Sequence, residues 1–317
     1  MSMGKAISGD DCKAFVIHRM IILFGYYGFQ NVGDEQLLDE TVRLLKPRPF
    51  IVANGPVSAP FPTFSRGNLW QWWRHCRKAS HIVMGGGSVF QSQTSVLSLL
   101  YYVCIVCMAR VWGCSVLLLC HGWGPFKCAW HQSLAVWCVT RKHVQRSWRH
   151  NTGIPAFAND PVFCDLVLTQ PLPKPSPGGK HVGILLRSNT QTKHVINMLG
   201  DTPYRCLTTG VDTGNTLGLI DHWNTQALDI GYVITDRYHG AIWASRHGIA
   251  WCAISKDPKL TALAIQSNQP IFNSVEALNS HPIHCENTRS EPLRAWVAQH
   301  ATQRERIQEW LYAHIGH

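Results

Sequence analysis

Three apolar runs in the first half of the chain each end in a turn rich in glycine, and this pattern constrains the fold most strongly. The runs cover residues 20–27, 80–84 and 116–120, and the turns after them contain Gly28 and Gly33, Gly85 to Gly87, and Gly122. Apolar residues at helical spacing follow the first two turns. Strands that alternate with helices form parallel sheets covered by helices, so the sequence predicts an α/β fold.

A proline-rich segment over residues 170–180 divides the chain into two parts of ordinary domain size. Proline neither continues a helix nor donates a hydrogen bond to a central sheet, so we predict a linker there. The prediction is an N-terminal α/β domain over residues 1–169 and a C-terminal α/β domain over residues 181–317. The second domain is expected to end in a helix over about residues 291–315.

The chain is basic, with 29 Lys and Arg against 19 Asp and Glu and a formal net charge of +10. Such a charge attracts nucleic acid, an anionic membrane surface or a phosphorylated substrate. The basic residues are scattered and no nucleic-acid-binding motif accompanies them, so we predict no nucleic-acid partner. The densest basic run, residues 141–150, is interpreted as a solvated helix face. The alternative is contact with a membrane surface or a lipid-diphosphate-linked sugar.

Most of the twelve cysteines lie in apolar runs, where a free thiol acts as a small hydrophobic group. No secretory signal precedes them, so we expect a reducing, cytoplasmic compartment. Cys104 and Cys107 form a CxxC pair without a second pair, and we predict no metal site. They lie in the stretch 96–120, whose one charged residue is Arg110. We interpret this stretch as a buried helix and a central strand rather than a membrane span.

The segment 235–240, Thr-Asp-Arg-Tyr-His-Gly, places a permanent cation and a titratable ring directly after the strand-like run 230–234. The planar fork of Arg237 can bind a carboxylate or phosphate, and His239 can transfer a proton near neutral pH. In the functional interpretation these residues form a catalytic corner that handles an anion. In the structural interpretation Arg237 forms an ion pair with an Asp and His239 starts a helix.

Six segments together resemble the polysaccharide pyruvyl transferases, in particular the bacterial cell-surface-anchoring pyruvyltransferases. They are residues 25–38, 84–91, 122–125, 159–163, 235–240 and 255–260, in the order and spacing of that family. The resemblance implies a fold similar to a B-type glycosyltransferase, with two Rossmann-like domains. It also implies transfer of a pyruvyl group from phosphoenolpyruvate to two hydroxyls of a saccharide, forming a ketal in cell-surface or extracellular polysaccharide biosynthesis. Phosphoenolpyruvate would be a substrate and no separate cofactor is implied.

The same resemblance implies Arg237, His239 and Arg187 as site residues, and the chemistry of the reaction suggests the others. His239 and Arg237 would be catalytic, with His239 as an imidazolium that protonates the methylene carbon and is kept charged by nearby anions. The predicted substrate-binding residues are Arg187, Asn31, Gly33, Asp34, Gly85, Gly86, Gly87, Gly122 and Asp236. Asp34 or Asp236 would deprotonate the attacking hydroxyl, unless one caps a helix or orients an arginine. The acceptor, which the resemblance allows to be lipid-linked, would bind mainly to the first domain, and phosphoenolpyruvate to the second.

Three residues depart from the family pattern. His121 stands where glutamine is usual, Lys142 follows Arg141 where aspartate is frequent, and Tyr238 stands where leucine or phenylalanine is more frequent. Two other functions also stay open. One is a glycosyltransferase of the same architecture that uses a nucleotide sugar. The other is a non-catalytic protein that binds an anionic glycan or a membrane surface.

Overall fold

The computed structural model describes residues 20–29, 31–57, 59–174, 178–207, 223–281, 283 and 290–316, which form two sheets with every ladder parallel. The first contains β1 (Met20–Phe24), β2 (Phe50–Asn54), β3 (Thr63–Ser65), β4 (Ala79–Gly85), β5 (Ser115–His121) and β6 (Val144–Trp148), in the order β3-β2-β1-β4-β5-β6. The second contains β7 (His181–Leu185), β8 (Tyr204–Cys206), β9 (Ile230–Thr235), β10 (Ala250–Ile254) and β11 (Ile271–Phe272), in the order β11-β10-β9-β7-β8. The predicted α/β class is confirmed.

Helices connect the strands of both sheets. Beside the first sheet lie α1 (Val32–Leu45), α2 (Leu69–Cys76), α3 (Val96–Val111) and α4 (Ala129–Val139). The second part of the chain contains α5 (Asn189–Leu199), α6 (Tyr238–Arg246), α7 (Pro258–Gln266), α8 (Val275–Leu278), α9 (Glu291–Ala301) and α10 (Gln303–Ile315). Two short 3-10 helices, Pro155–Phe157 and Leu166–Thr169, follow β6.

The two faces of the first sheet pack against different helices. Along β1, Ile21 and Leu23 belong to the apolar cluster that includes α1, whereas Ile22 and Phe24 belong to the cluster that includes α2, α3 and α4. This alternation follows from the two-residue period of a strand. The helices α2, α3 and α4 therefore form one layer, on the opposite face of the sheet from α1.

The apolar stretch 96–120 forms α3 and β5, as predicted. Gly113, at φ +69°, follows the last turn of α3 and lets the chain reverse into the strand. Helix α3 is buried on one side only, because Leu97 and Val111 on its other side are exposed. Among the described residues, none of the helices is both long enough and apolar enough to cross a membrane.

The prediction of a solvated helix over residues 141–150 is wrong. Half of this run, Val144–Trp148, forms β6, and two of its arginines, Arg146 and Arg149, are paired with acidic residues further along the chain. Arg146 donates two hydrogen bonds, of 2.7 and 3.0 Å, to the carboxylate of Asp160. Arg149 is buried beside Asp165. The run was interpreted as a solvated face because the acidic partners of Arg146 and Arg149 lie 14 and 16 positions further along the chain.

The predicted C-terminal helix is two helices, α9 and α10, which meet at Thr302. Helix α10 packs against the first part of the chain, since Arg304 forms an ion pair with Glu40 of α1. The hydroxyl of Tyr312 also donates to the carbonyl of Leu44 at 3.1 Å. The domain boundary at the proline-rich segment stays a prediction, and residues 175–177 of that segment lie outside the described residues.

Candidate functional site

Both sheets have a point at which the strand order reverses, between β1 and β4 in the first and between β7 and β9 in the second. The connections leave in opposite directions there, which opens a crevice at the carboxyl ends of the strands. A cleft of about 630 Å³ lies at these ends. Its lining includes Asn31, Asp34, Gly87 and Arg149 from the first part of the chain and Arg187, His239 and Lys259 from the second.

His239 lies at the start of α6, against the N-terminal turn of α1. A Cβ atom at Gly33 would lie 2.0 Å from the Nδ1 atom of His239, so only glycine allows the ring this position. The Nε2 atom lies 3.9 Å from the Asp165 carboxylate, and 17% of the side chain is exposed. Burial lowers the pKa of His239 to about 4, although Asp165 acts in the opposite direction.

This pKa corrects one prediction. At neutral pH the His239 ring of the free protein is uncharged, rather than the imidazolium that the sequence analysis expected. The neighbouring anion that was expected to hold the proton is present as Asp165, but the buried guanidinium of Arg149 also acts on the ring and favours its neutral form. Burial is the larger cause, so the ring gains a proton near neutrality only if further negative charge enters the cleft.

Arg149 and Asp165 form a buried ion pair with an N–O distance of 2.7 Å and side chains that are 4% and 0% exposed. The Arg149 guanidinium also donates to the Ser88 hydroxyl at 2.9 Å and lies 4.4 Å from the centre of the Tyr238 ring. Asp165 accepts from the backbone N–H of Val167, which fixes it at the start of a 3-10 helix. These contacts hold the pair in place beside His239.

The sequence analysis missed both members of this pair. Arg149 was assigned to a surface, and Asp165 lies outside the motifs of the family. One signal could have found them: no Asp or Glu occurs between Glu40 and Asp160, although this stretch contains thirteen Lys and Arg. A buried arginine in the stretch must find its carboxylate elsewhere, and Asp160 and Asp165 are the first acidic residues after it.

Asp34 lies in the cleft without a capping role. The cap of α1 is Asn31, whose side-chain oxygen accepts from the N–H of Gly33 and whose amide donates to Asp34. Glu35 accepts from the N–H of Gly28 at 2.7 Å. Burial, and then the charge of Glu35, raise the pKa of Asp34 to about 7, so this carboxyl is poised to exchange a proton at neutral pH.

Asp236 orients the loop that carries Arg187. Both of its carboxylate oxygens lie 3.1 Å from the backbone nitrogen of Arg187, and its Oδ1 lies 3.7 Å from the Nε of Arg237. This is the arginine-orienting role considered in the sequence analysis. The side chain of Arg187 is exposed and lines the cleft. Arg237 is not among the residues that line the cleft, although the next residue, Tyr238, is. Among the described residues, its Nε has no hydrogen-bond partner.

A further cation, Lys259, comes from the first turn of α7. Burial, and then the charge of Arg149, lower its pKa to about 8. The second part of the chain therefore presents cationic side chains around the neutral His239 ring. Among the described residues, no group of three or more His, Cys, Asp or Glu could hold a metal ion.

The glycines of the predicted site divide into two groups. Gly87 lines the cleft. A Cβ at Gly85, Gly86 or Gly122 would instead meet Thr41, Leu37 or Ser88, so these glycines allow close packing behind the cleft. His121 supports the loop that follows β4, because its Nε2 accepts from the N–H of Val89 at 3.3 Å. Burial lowers the pKa of His121 to about 3, which keeps the ring neutral for this bond.

No protein-family model and no curated protein matches the chain. Solved structures do match in fold. A UDP-glucosyltransferase of Polygonum tinctorium and a Listeria monocytogenes protein described as a UDP-N-acetylglucosamine 2-epimerase each share 9% identity at a TM-score of 0.56, over 94% of this chain and 99% or 97% of theirs. The wall teichoic acid polymerase TagF shares 9% identity at a TM-score of 0.51, over 94% of this chain and 88% of its own.

Likeness at this identity shows the fold alone. The chain has the architecture of the B-type glycosyltransferases, with two Rossmann-like parallel sheets and a cleft at their carboxyl ends. The fold prediction is confirmed. None of these names concerns pyruvyl transfer, which is therefore taken up as a proposal.

Proposed function

We propose that the protein transfers a pyruvyl group from phosphoenolpyruvate to two hydroxyls of a saccharide acceptor, forming a ketal and releasing phosphate. The observation that carries the proposal is the position of Arg149, Arg187 and Lys259 around His239 in one cleft. A small donor with a carboxylate and a phosphate needs two cationic contacts and one group that moves a proton. The motifs at residues 84–91 and 235–240 support the same choice.

The reaction balances as an addition followed by a substitution. A proton is added to the methylene carbon of the donor, and the first hydroxyl oxygen forms a bond to the adjacent carbon. The second hydroxyl oxygen then forms a bond to that carbon, and the bond between the carbon and the phosphate oxygen breaks. The acceptor loses two hydroxyl protons in total. One proton is gained by the methylene carbon, which becomes a methyl group, and the other by the released phosphate.

In the proposed roles, Arg187 and Lys259 bind the two anionic groups of the donor and Arg237 adds positive charge from beside the cleft. The donor brings negative charge next to His239 and thereby raises its pKa, so that the ring becomes protonated as the donor binds. His239 then protonates the methylene carbon. Asp34, whose pKa burial raises to about 7, accepts the hydroxyl proton in its ionised form.

The acceptor is assigned to the first part of the chain. The cleft is much larger than the donor, and Gln91, Gln93 and Thr94 line it on that side. Amide and hydroxyl side chains suit sugar hydroxyls because they both donate and accept hydrogen bonds. The proposal places the saccharide between these residues and the carboxylate of Asp34.

A second candidate is a glycosyltransferase that uses a nucleotide sugar. It is favoured by the fold similarity to proteins named for UDP-glucose transfer and for UDP-N-acetylglucosamine epimerisation. The cations of the second part of the chain would then bind a diphosphate instead of a phosphate and a carboxylate. This candidate gives no specific role to a carboxyl and a histidine in the cleft whose pKa values burial shifts in opposite directions, that of Asp34 upward and that of His239 downward.

The experiment is phosphate release from phosphoenolpyruvate by the purified protein, with a panel of hexose and N-acetylhexosamine acceptors and His239→Ala as the control. We expect release that needs an acceptor and is lost in the variant, and thermal stabilisation by phosphoenolpyruvate. Stabilisation by UDP or UDP-sugars, with none by phosphoenolpyruvate, would instead support the glycosyltransferase. Stabilisation by neither donor would leave a non-catalytic binding protein as the better interpretation.

A further inference from the structure

The net positive charge of the protein arises from one stretch, because this stretch lacks acidic residues. Residues 41–159 contain thirteen Lys and Arg and no Asp or Glu, whereas the rest of the chain has 16 Lys and Arg against 19 Asp and Glu. The stretch includes α2, α3 and α4, which cover one face of the first sheet. An acid-free helical layer is unusual, because water-facing helices normally carry charges of both signs.

The outer sides of α3 and α4 are apolar. On α3, Leu97 is 78% exposed and Val111 is 73% exposed, with the exposed Leu100 and Cys104 between them at helical spacing. On α4, Trp130 is 57% exposed and Trp137 lies two turns further along the same side. These are large side chains that the fold itself leaves in contact with water.

Helix α10 shows what an ordinary exposed helix of this protein contains. Its 13 residues include Arg304, Glu305, Arg306 and Glu309. The 16 residues of α3 include one charged side chain, Arg110, and the 11 residues of α4 include no Lys, Arg, Asp or Glu. The difference shows that the outer sides of α3 and α4 are suited to a surface other than water.

The three helices form one continuous surface, which we name the α2–α4 surface. Trp73 of α2 and Trp112 at the end of α3 are in edge contact, with ring centres 4.2 Å apart. His143, just after α4, lies 3.2 Å from the carbonyl oxygen of Val106 in α3. Trp70 of α2, which is 71% exposed, adds an aromatic side chain to the exposed apolar residues.

Cations lie along one edge of the α2–α4 surface. A helix that follows a parallel strand ends near the edge of the sheet opposite the carboxyl ends, so the three helices end together. At these ends lie Arg74, Arg77, Lys78, Arg110, Arg141 and Lys142. Two of the guanidinium groups lie over rings, Arg77 5.4 Å from Trp112 and Arg141 4.2 Å from Trp137. Cations at helix ends are usual, but the exposed apolar stripes beside them are not explained by the helix dipole.

We infer that the α2–α4 surface binds peripherally to an anionic lipid bilayer. Exposed tryptophans and leucines enter the boundary between headgroups and acyl chains, and the adjacent cations attract anionic headgroups. The charge argues for this occupant, because a surface with six cations and no acid within residues 41–159 complements a sheet of negative headgroups. A second copy of the chain would instead bring the same cations against each other.

The surface reaches the candidate site. Leu97 lines a second cavity of about 520 Å³, and Ser98 lines both this cavity and the cleft. If the proposed function holds, a saccharide anchored in the bilayer could enter the cleft beside the N-terminal end of α3. Membrane binding itself does not depend on which donor the protein uses.

The test is co-sedimentation of the full-length protein with vesicles, either of phosphatidylcholine alone or of phosphatidylcholine and phosphatidylglycerol in equal amounts. We expect binding to the anionic vesicles that weakens with added salt. The charge-removing variant R74Q/R77Q/R110Q should weaken it on the order of 10²-fold, since each cation near such a surface contributes about fivefold. The variant W130Q/W137Q should weaken binding about tenfold or more.

Matched controls come from the second part of the chain. Ile265 of α7 is 71% exposed and Arg306 of α10 is exposed, so I265S and R306Q remove comparable groups far from the surface and should leave vesicle binding unchanged. The inference is overturned if the wild-type protein does not bind anionic vesicles, or if the control variants weaken binding as much as the surface variants. A dimer in solution that W130Q/W137Q dissociates would identify a self-association surface instead.

Discussion

The two sides of the cleft hold their charged groups in different ways. On the first side, Arg149 is buried and paired with Asp165, and Asp34 is held by Asn31. On the second side, Arg187 is exposed, and its backbone rather than its guanidinium is fixed by Asp236. The charged groups of the first side therefore already have partners within the protein. The second side presents a cation, Arg187, whose side chain lines the open cleft.

This difference suggests that the two arginines have different roles. A buried and paired arginine has a structural role, because its removal would leave a buried carboxylate without a partner. Its charge also shifts the pKa values of its neighbours. An exposed arginine with a fixed backbone can bind an incoming anion at little cost. His239 lies where the two sides meet, since its ring packs on Gly33 and faces Asp165.

The largest effect is expected for His239→Gln, which removes the group shared by the two sides. Glutamine keeps a polar side chain of similar length but cannot move a proton, so kcat should fall about 10² to 10⁴-fold. Donor affinity at the pH of the assay should change much less. Steady-state kinetics together with equilibrium binding of phosphoenolpyruvate measure the two quantities. If kcat stays near the wild-type value, the role of His239 is structural.

The second prediction concerns the buried side. Arg149→Met leaves the Asp165 carboxylate buried without its partner and should lower the free energy of unfolding by about 3 to 5 kcal/mol. Arg187→Met is the matched control, since this exposed side chain should change stability by no more than about 0.5 kcal/mol. Denaturant unfolding of the three proteins makes the comparison. Equal stability losses would show that the two sides do not differ as described.

The parts of the fold that the sequence predicted depend on local patterns. The glycine turns after β1, β4 and β5, and the division of residues 96–120 into α3 and β5, follow from the spacing of apolar residues and glycines. The site was predicted where a motif lies in one segment, as for Arg237 and His239. Asp34 was considered as a base or a cap, and the structure gives the cap to Asn31.

The remaining features depend on contacts between distant segments. Arg149 and Asp165 become a pair only after β6 has been placed in the sheet, and Gly33 limits His239 only after α1 and α6 meet. The neutral state of His239 is a further example, because the sequence shows nearby charges but not the burial that outweighs them. Local patterns thus located the cleft but did not determine its electrostatics.

A third prediction tests the exposed side. Arg187→Lys keeps the charge but removes the planar fork, so we expect the KM for phosphoenolpyruvate to rise about tenfold with kcat changed little. Arg306→Lys on α10 is the matched control for an exposed arginine away from the cleft. Steady-state kinetics with varied donor measure the effect. A fall in kcat with unchanged KM would place Arg187 in the chemical step instead.

A fourth prediction is a pH dependence of donor affinity. His239 has a pKa of about 4 in the free protein, and the donor's charge should raise it, so binding takes up a proton. Affinity should then weaken as pH rises from 6 to 8, by at most about tenfold per pH unit.

The phosphate of the donor titrates in both the wild-type protein and the variant, so His239→Gln isolates the contribution of the ring. Calorimetry in two buffers of different ionisation enthalpy measures the proton uptake. Equal uptake by both proteins would show that His239 stays neutral in the complex, and it would then serve as the base rather than the acid.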